Sequence, residues 1–207
     1  MLLNEISPAN FGFYSRSSDI KHWLNKSVSG TFVIHDDNSV DINGTIHFPK
    51  QHKYIPFKVN SISESIIATD TALSSFINFP RKIGKNLYFA NTRIDSFKYI
   101  PEEVNGLIFM RNNSKKLTSY HNIHHYIKYV GGGSEMGFEV SCDLVPNMLG
   151  LFFIKGIKSI LIDGGRNKEI EDLHRVEEIF NQYLPHNDVH SCQEALIDAG
   201  YPEVARF

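Results

Sequence analysis

The fold is decided by the stretch Ile66-Ile67-Ala68-Thr69-Asp70-Thr71-Ala72-Leu73-Ser74-Ser75-Phe76, because a second copy follows it without a gap. That copy begins 21 residues later and reads Leu87-Tyr88-Phe89-Ala90-Asn91-Thr92-Arg93-Ile94-Asp95-Ser96-Phe97. A third copy opens another 21 residues on as Ile108-Phe109-Met110-Arg111-Asn112-Asn113, with two extra residues before Leu117. A period of roughly 20 to 50 residues is typical of a solenoid, in which each repeat buries its apolar edge against its neighbours. The sequence therefore predicts a stack of short repeats, which more often offers a broad binding surface than a catalytic cleft.

Each copy reads apolar-x-apolar-x-x-polar-x-apolar, as in Leu87-x-Phe89-x-x-Thr92-x-Ile94. The two alternating apolar side chains point inward from a short strand. The polar residue (Thr71, Thr92 or Asn113) turns inward as well and hydrogen-bonds backbone groups where the chain bends. This pattern matches the strand consensus of a leucine-rich repeat, except that the upstream leucine is displaced by one residue to Ile83. The predicted fold class is α/β (α+β), a short leucine-rich-repeat-like solenoid.

The chain divides into three segments of a single structural unit. Residues 1–54 predict an N-terminal cap, with a short helix opened by Ser17-Ser18-Asp19, a hairpin across residues 31–42 and a separate strand at residues 45–48. Residues 55–165 form the solenoid. Residues 166–207 predict a helical cap, because an amphipathic stripe up to Leu184 is followed by a second helix that Asp188 caps.

The repeat pattern weakens after the third copy and then returns. Phe138-Glu139-Val140 and Leu151-Phe152-Phe153 both read apolar-x-apolar and are predicted as further strands. By this alignment Glu139 and Phe152 are the middle residues of those strands.

Composition bounds the class of protein. Hydrophobic residues make up 42% and charged residues 21%, so a packed core is expected. The net charge of −2 and the lack of a basic patch give no reason to expect nucleic-acid binding. Two cysteines 50 residues apart form neither a disulfide framework nor a zinc spacing, which favours a reducing cytoplasm. We find no signal peptide and no apolar run long enough for a membrane span, so no membrane partner is predicted.

Several motifs in this order resemble accessory proteins of tailed phages. They are His22-Trp23-Leu24, Asp36-Asp37-Asn38-Ser39-Val40-Asp41-Ile42-Asn43-Gly44, Ile100-Pro101-Glu102-Glu103-Val104-Asn105-Gly106, and a helical tail with Cys192-Gln193-Glu194-Ala195-Leu196. The resemblance covers most of residues 20–207 and departs at residues 123–137. It implies the solenoid fold, a phage origin and action in the host cell cytoplasm. It further suggests binding to a host protein, for which a defence toxin such as the ADP-ribosyltransferase DarT is one candidate.

The middle residue of each strand faces away from the core, and in the three matched copies this residue is Ile67, Tyr88 or Phe109. Stacked about 4.8 Å apart, they would form an apolar ladder on the sheet face. Such surfaces mark interaction sites, and aromatic residues are favoured anchors. The predicted partner-binding residues are Ile67, Tyr88, Phe109, Arg111, Asn86, Glu139 and Phe152. The alternatives are that the N-terminal arm or a helix covers the ladder, or that it is simply exposed.

The histidines His121, His124 and His125 support a rival hypothesis, a metal-dependent enzyme. On a helix His121 and His125 would share a face, which suits zinc. No carboxylate or cysteine at ligand spacing completes the set, so a solvated or partner-facing cluster is favoured. We therefore predict a monomeric, non-enzymatic binding protein with no cofactor and no metal. A structural phage component, self-associating through the helical tail, is the third alternative.

Overall fold

The computed structural model describes residues 16–113, 115–131, 136–165 and 169–207, and there the chain forms a parallel β-solenoid of about six turns with flanking helices. The strands are β1 Val28–Ile34, β2 Val40–His47, β3 Val59–Ile62, β4 Ile66–Ile67, β5 Lys82–Ile83, β6 Leu87–Tyr88, β7 Glu103–Val104, β8 Ile108–Phe109, β9 Tyr129–Val130, β10 Val140–Leu144 and β11 Ile160–Gly165. The helices are α1 Ser17–Ser27, α2 Ile123–Tyr126, α3 Ile170–Tyr183 and α4 Val189–Asp198, with 3₁₀ helices at Met148–Phe153 and Leu184–His186.

Strand β2 is long enough to start two rows of parallel strands. The front row continues from the second half of β2 through β4, β6, β8, β10 and β11. The back row continues from its first half through β3, β5, β7 and β9. In the front row Ile66 pairs with Leu87, and Leu87 pairs with Ile108. The three matched copies are therefore adjacent rungs in the predicted register, and the prediction of a solenoid is confirmed.

The chain turns between rows at residues in the left-handed backbone conformation. One corner is formed by Asp70, Asn91 and Asn112, with φ of 57°, 54° and 62°, and another by Asn78, Tyr99 and Asn122, with φ of 67°, 66° and 55°. Asn and Asp enter this region more readily than other non-glycine residues, because their short side chains hydrogen-bond locally. The recurrence of these residues at the repeat period explains why each turn closes in the same shape.

The inward polar residue of each repeat satisfies the backbone at the corner, as predicted. Asn113 is buried, and its Nδ2 donates to the carbonyls of Phe89 (2.9 Å) and Met110 (3.0 Å). Its Oδ1 accepts from the backbone N–H of Thr92 at 2.8 Å. The hydroxyl of Thr71 donates to the carbonyl three residues earlier at 2.6 Å. Buried backbone groups need such partners, so this polar line holds neighbouring turns together.

The N-terminal end differs from the sequence prediction in two details. The helix N-cap is Arg16 without a side-chain hydrogen bond, so the capping role predicted for Ser17-Ser18-Asp19 is wrong, because the helix already begins at Ser17. Residues 45–47 are not a separate strand, because β2 runs through Gly44 without a break. Gly44 faces Gly30 of β1 across the predicted hairpin, and a Cβ on either glycine would collide with the opposite backbone.

The C-terminal helices cover the last strand of the front row. Oδ1 of Asn181 accepts from the backbone N–H of Ile160 (2.8 Å), and its Nδ2 donates to the carbonyl of the same residue (2.9 Å). Glu177 accepts from the N–H of Ile162 at 2.7 Å. These side chains of α3 satisfy backbone groups that a further strand would otherwise pair. The predicted cap of α4 is present, since Asp188 accepts from the N–H of Ser191 at 3.1 Å.

The predicted alignment after the third copy is wrong in both places. Val140, rather than Phe138, pairs with Ile108, so Glu139 precedes β10 instead of occupying its middle. Phe152 lies in the 3₁₀ helix Met148–Phe153 and is 6% exposed. Eleven of the 17 residues from 138 to 154 are apolar, so an apolar-x-apolar pattern fits this stretch in several registers. No helix among the described residues is long and apolar enough to cross a bilayer.

Candidate binding surface

The structure brings Ile67, Tyr88 and Phe109 together on three adjacent rungs of the front row, and we call these three residues the apolar ladder. Strand pairing places Ile67 beside Tyr88 and Tyr88 beside Phe109. All three are partly exposed, whereas the residue before each of them is buried. The ring centroids of Tyr88 and Phe109 are 5.9 Å apart, with the ring planes inclined at 48°. The short strands thus turn alternate residues outward and stack them into one surface.

The register of the apolar ladder continues on both sides of it. His47 pairs with Ile67 at one end, and Ser141 pairs with Phe109 at the other, followed by Leu161. His47 is exposed, whereas Ser141 is fully buried, so the exposed row is interrupted beyond Phe109. Sequence reasoning missed these three positions. The pattern Ile46-His47-Phe48 stands 20 residues before Ile66-Ile67-Ala68 and was the signal that could have revealed the first.

Asn86 holds the phenol of Tyr88 in place. Its Nδ2 donates to the Tyr88 hydroxyl at 3.0 Å, while its Oδ1 accepts from the backbone N–H of Leu107 at 2.9 Å. Asn86 therefore acts as a support within the fold in addition to lying beside the apolar ladder, and the Tyr88 ring has little freedom left to lose on binding.

Arg111 lies over the third rung. Its guanidinium carbon is 4.4 Å from the centre of the Phe109 ring, a cation–π contact. The same guanidinium pairs with Asp163 of β11, which neutralises its charge. Both partners are partly exposed, so the pair forms a polar rim at this end of the apolar ladder.

Glu139 and Phe152 do not extend the apolar ladder. The Glu139 carboxylate accepts from the backbone N–H and the hydroxyl of Ser159, both at 2.7 Å, so it stabilises the approach to β11. Phe152 packs inside, with its ring centroid 5.9 Å from that of Phe180. The prediction that Phe152 faces outward is wrong, because a 3₁₀ turn rather than a strand carries it. The N-terminal arm, one candidate cover, lies outside the described residues.

The histidine cluster does not have the geometry of a metal centre. Helix α2 begins at Ile123, so His121 precedes it and shares no helical face with His125. His121 donates through Nδ1 to the backbone oxygen of Phe207 (2.8 Å), and its Nε2 accepts from Asn122 (2.7 Å). Over the described ranges, no group of three or more His, Cys, Asp or Glu side chains is placed to hold a metal.

His124 is the least solvated member of the cluster. Burial, followed by the nearby positive charges of His125, Lys128 and His121, lowers the pKa of His124 below that of a free imidazole. Its ring packs 4.3 Å from that of His125 and 5.2 Å from that of Phe153. The neutral, packed ring is a structural part of the surface around α2.

Neither cysteine is activated. Cys142 and Cys192 are free thiols and both are buried. Burial raises the pKa of Cys142 far above its ordinary value and raises the pKa of Cys192 to about 12. A thiol with so high a pKa stays protonated at neutral pH and is not a nucleophile.

The fold and this surface together define the class, a parallel β-solenoid with flanking helices and an apolar ladder on one row of strands. No protein-family model, curated protein or solved structure matches the chain.

Proposed function

We propose that the protein is a non-enzymatic binding module, a leucine-rich-repeat-like accessory protein of a tailed phage that inhibits a host protein through the front row of its solenoid. The observation that carries this proposal is the apolar ladder. Solvent-facing strand positions are usually polar, yet three consecutive rungs place an isoleucine, a tyrosine and a phenylalanine there.

The apolar ladder has the properties of a binding anchor. Each aromatic side chain can bury about 150–250 Å² against a partner, and aromatic residues are enriched among interface residues that carry most of the binding energy. The hydrogen bond from Asn86 restrains Tyr88, and the guanidinium of Arg111 packs on Phe109. A surface that is already ordered loses less conformational entropy on association.

The repeat pattern supports the leucine-rich-repeat assignment. Leu87 and Phe89 are fully buried, and the hydroxyl of Thr92, three positions after Phe89, accepts from the backbone N–H of Ile94 at 3.5 Å. In such solenoids the stacked strands form the recognition surface. The phage resemblance suggests the class of partner, a host defence or toxin protein in the cytoplasm of the infected cell. A DarT-type toxin is the first candidate to test.

The test is binding to purified candidate host toxins by the double variant Tyr88→Asp/Phe109→Asp. We expect affinity to fall by about a hundredfold or more, because two anchors are replaced by charges that would have to be desolvated. Tyr129→Asp is the matched control, since Tyr129 is an exposed tyrosine on the back row. Wild-type affinity in the double variant, or an equal loss in the control, would overturn the proposal.

A further inference from the structure

A small cavity lies at the N-terminal end of the front row. Its volume is about 260 Å³, and it opens between the last turn of α1, the end of β2 and the loop that follows. The residues that line it are His22, Trp23, Lys26, Ser27, His47, Pro49 and His52. The cavity exists because Ile20, Trp23 and Leu24 anchor α1 on the solenoid, with the Trp23 ring edge-on to those of Phe48 and Phe57.

Two polar groups of this cavity, the Lys26 ammonium and the Ser27 hydroxyl, have no acceptor within the described residues. Lys26 pairs with no carboxylate in the part of the chain that the structure describes, and no acidic residue is among the lining residues. Ser27 is 2% exposed, and within the described residues its hydroxyl has no hydrogen-bond partner. An unpaired buried hydroxyl costs free energy, so a ligand oxygen there would restore a lost hydrogen bond.

The third donor comes from His52. Trp23 Nε1 donates to Nδ1 of His52 at 3.2 Å, so Nδ1 is the acceptor and the ring proton resides on Nε2. Burial lowers the pKa of His52, which keeps this neutral form in place at neutral pH. The cavity thus combines one permanent positive charge with neutral donors and the apolar walls of Trp23 and Pro49.

We propose that this cavity binds a carboxylate side chain, Asp or Glu, of the protein that docks on the apolar ladder, an inference that rests on the proposed function. His47 is both a wall of the cavity and the outward residue one rung before Ile67, about 4.8 Å away. A partner segment lying along the apolar ladder therefore reaches the cavity with its next side chain. A single lysine balances a monoanion, whereas a phosphate dianion would need a second fixed positive charge.

The chain supplies its own reporter, because Trp23 is the single tryptophan. Titration with sodium acetate at constant ionic strength should change Trp23 fluorescence to saturation, and sodium chloride should not. Lys26→Gln/His47→Gln should weaken the acetate response at least tenfold. The matched control is Lys21→Gln, an exposed lysine of α1 outside the cavity, which should leave the response unchanged.

The assignment would be overturned by a response that chloride reproduces, by saturation with inorganic phosphate at lower concentration than with acetate, or by an unaltered response in the double variant. The readout needs no partner, so it is separate from the proposed function. Tyr88→Asp/Phe109→Asp should abolish toxin binding and keep the acetate response. If the wild-type chain binds the toxin but gives no acetate response, the cavity proposal is rejected and the proposed binding function is not.

Discussion

Asn113 carries the polar interior of the middle turns. Its amide contacts the backbone of its own turn and of the turn before it, through the carbonyls of Met110 and Phe89. The amide oxygen of Asn113 also accepts a hydrogen bond from the backbone N–H of Thr92. Asn113 is 1% exposed, so these buried backbone groups depend on its side chain for their hydrogen bonds.

Replacing Asn113 by alanine should lower the free energy of unfolding by about 3 kcal/mol, because several buried backbone groups lose their partner. Asn25→Ala, the same change at an exposed position of α1, should alter it by about 0.5 kcal/mol or less. Urea unfolding followed by circular dichroism measures both. Equal stability in the two variants would contradict the structural role of Asn113.

The two buried thiols predict that the free energy of unfolding depends on pH. Burial raises the pKa of Cys192 from 9.0 to about 12, and the pKa of Cys142 is raised as well. A thiol whose pKa is higher in the folded protein than in the unfolded chain stabilises the fold. This stabilisation is fully present while the pH is below the pKa of the unfolded chain, and it is lost as the pH rises through the pKa of the folded protein. Unfolding free energy should therefore decrease from about pH 9 upward.

The same burial should block thiol chemistry in the native protein. At pH 8 a colorimetric thiol reagent should find both cysteines only after guanidinium unfolding. Rapid labelling of the folded protein would show that one of the thiols is accessible.

Among the elements, α3 acts as the cover of a strand edge. Val176 and Phe180 bury its apolar face, while Glu177 and Asn181 pair with the backbone of β11. An uncovered edge offers unpaired N–H and C=O groups to other chains. Helix α3 thus ends the stack, because its side chains pair with the backbone groups of β11 that a further strand would otherwise use.

Asn181→Ala should destabilise the fold by about 2 kcal/mol, because it leaves both backbone groups of Ile160 without a partner. The amide proton of Ile160 should then exchange faster with solvent. Gln182→Ala, on the exposed side of the same helix, should change neither property. Slow exchange at Ile160 in the Asn181 variant would mean that another group protects the edge.

As a whole molecule, the solenoid is stabilised by contacts between neighbouring turns, so its open ends decide whether it stays a single chain. We expect light scattering to give the mass of one chain, 23.6 kDa. A chain ending at residue 165 lacks α3 and α4 and exposes the edge of β11, so it should form larger species. A monomeric truncated chain would contradict the covering role of these helices.

The front-row repeats and the polar line of Thr71, Thr92 and Asn113 were predictable from the sequence, because their contacts lie within one turn or join residues about one repeat apart. The hairpin, the front-row strands up to β8 and the helical tail were predictable for the same reason, whereas the back-row strands β5, β7 and β9 were not predicted and the strand predicted at residues 151–153 is a 3₁₀ helix. The sequence by itself also determined that Ile67, Tyr88 and Phe109 share one face, since alternation along a strand is local geometry.

Only the tertiary structure decided the contacts between segments whose spacing is irregular. The pairing of Arg111 with Asp163, the inward position of Phe152 and the cavity beside His47 all join parts of the chain from different repeats or caps. A fixed sequence period determines which residues of adjacent turns lie side by side only while every turn has the same length. Once the turn length changes after the third copy, the register is set by which apolar side chains fill the core, and that depends on the packing of the whole molecule.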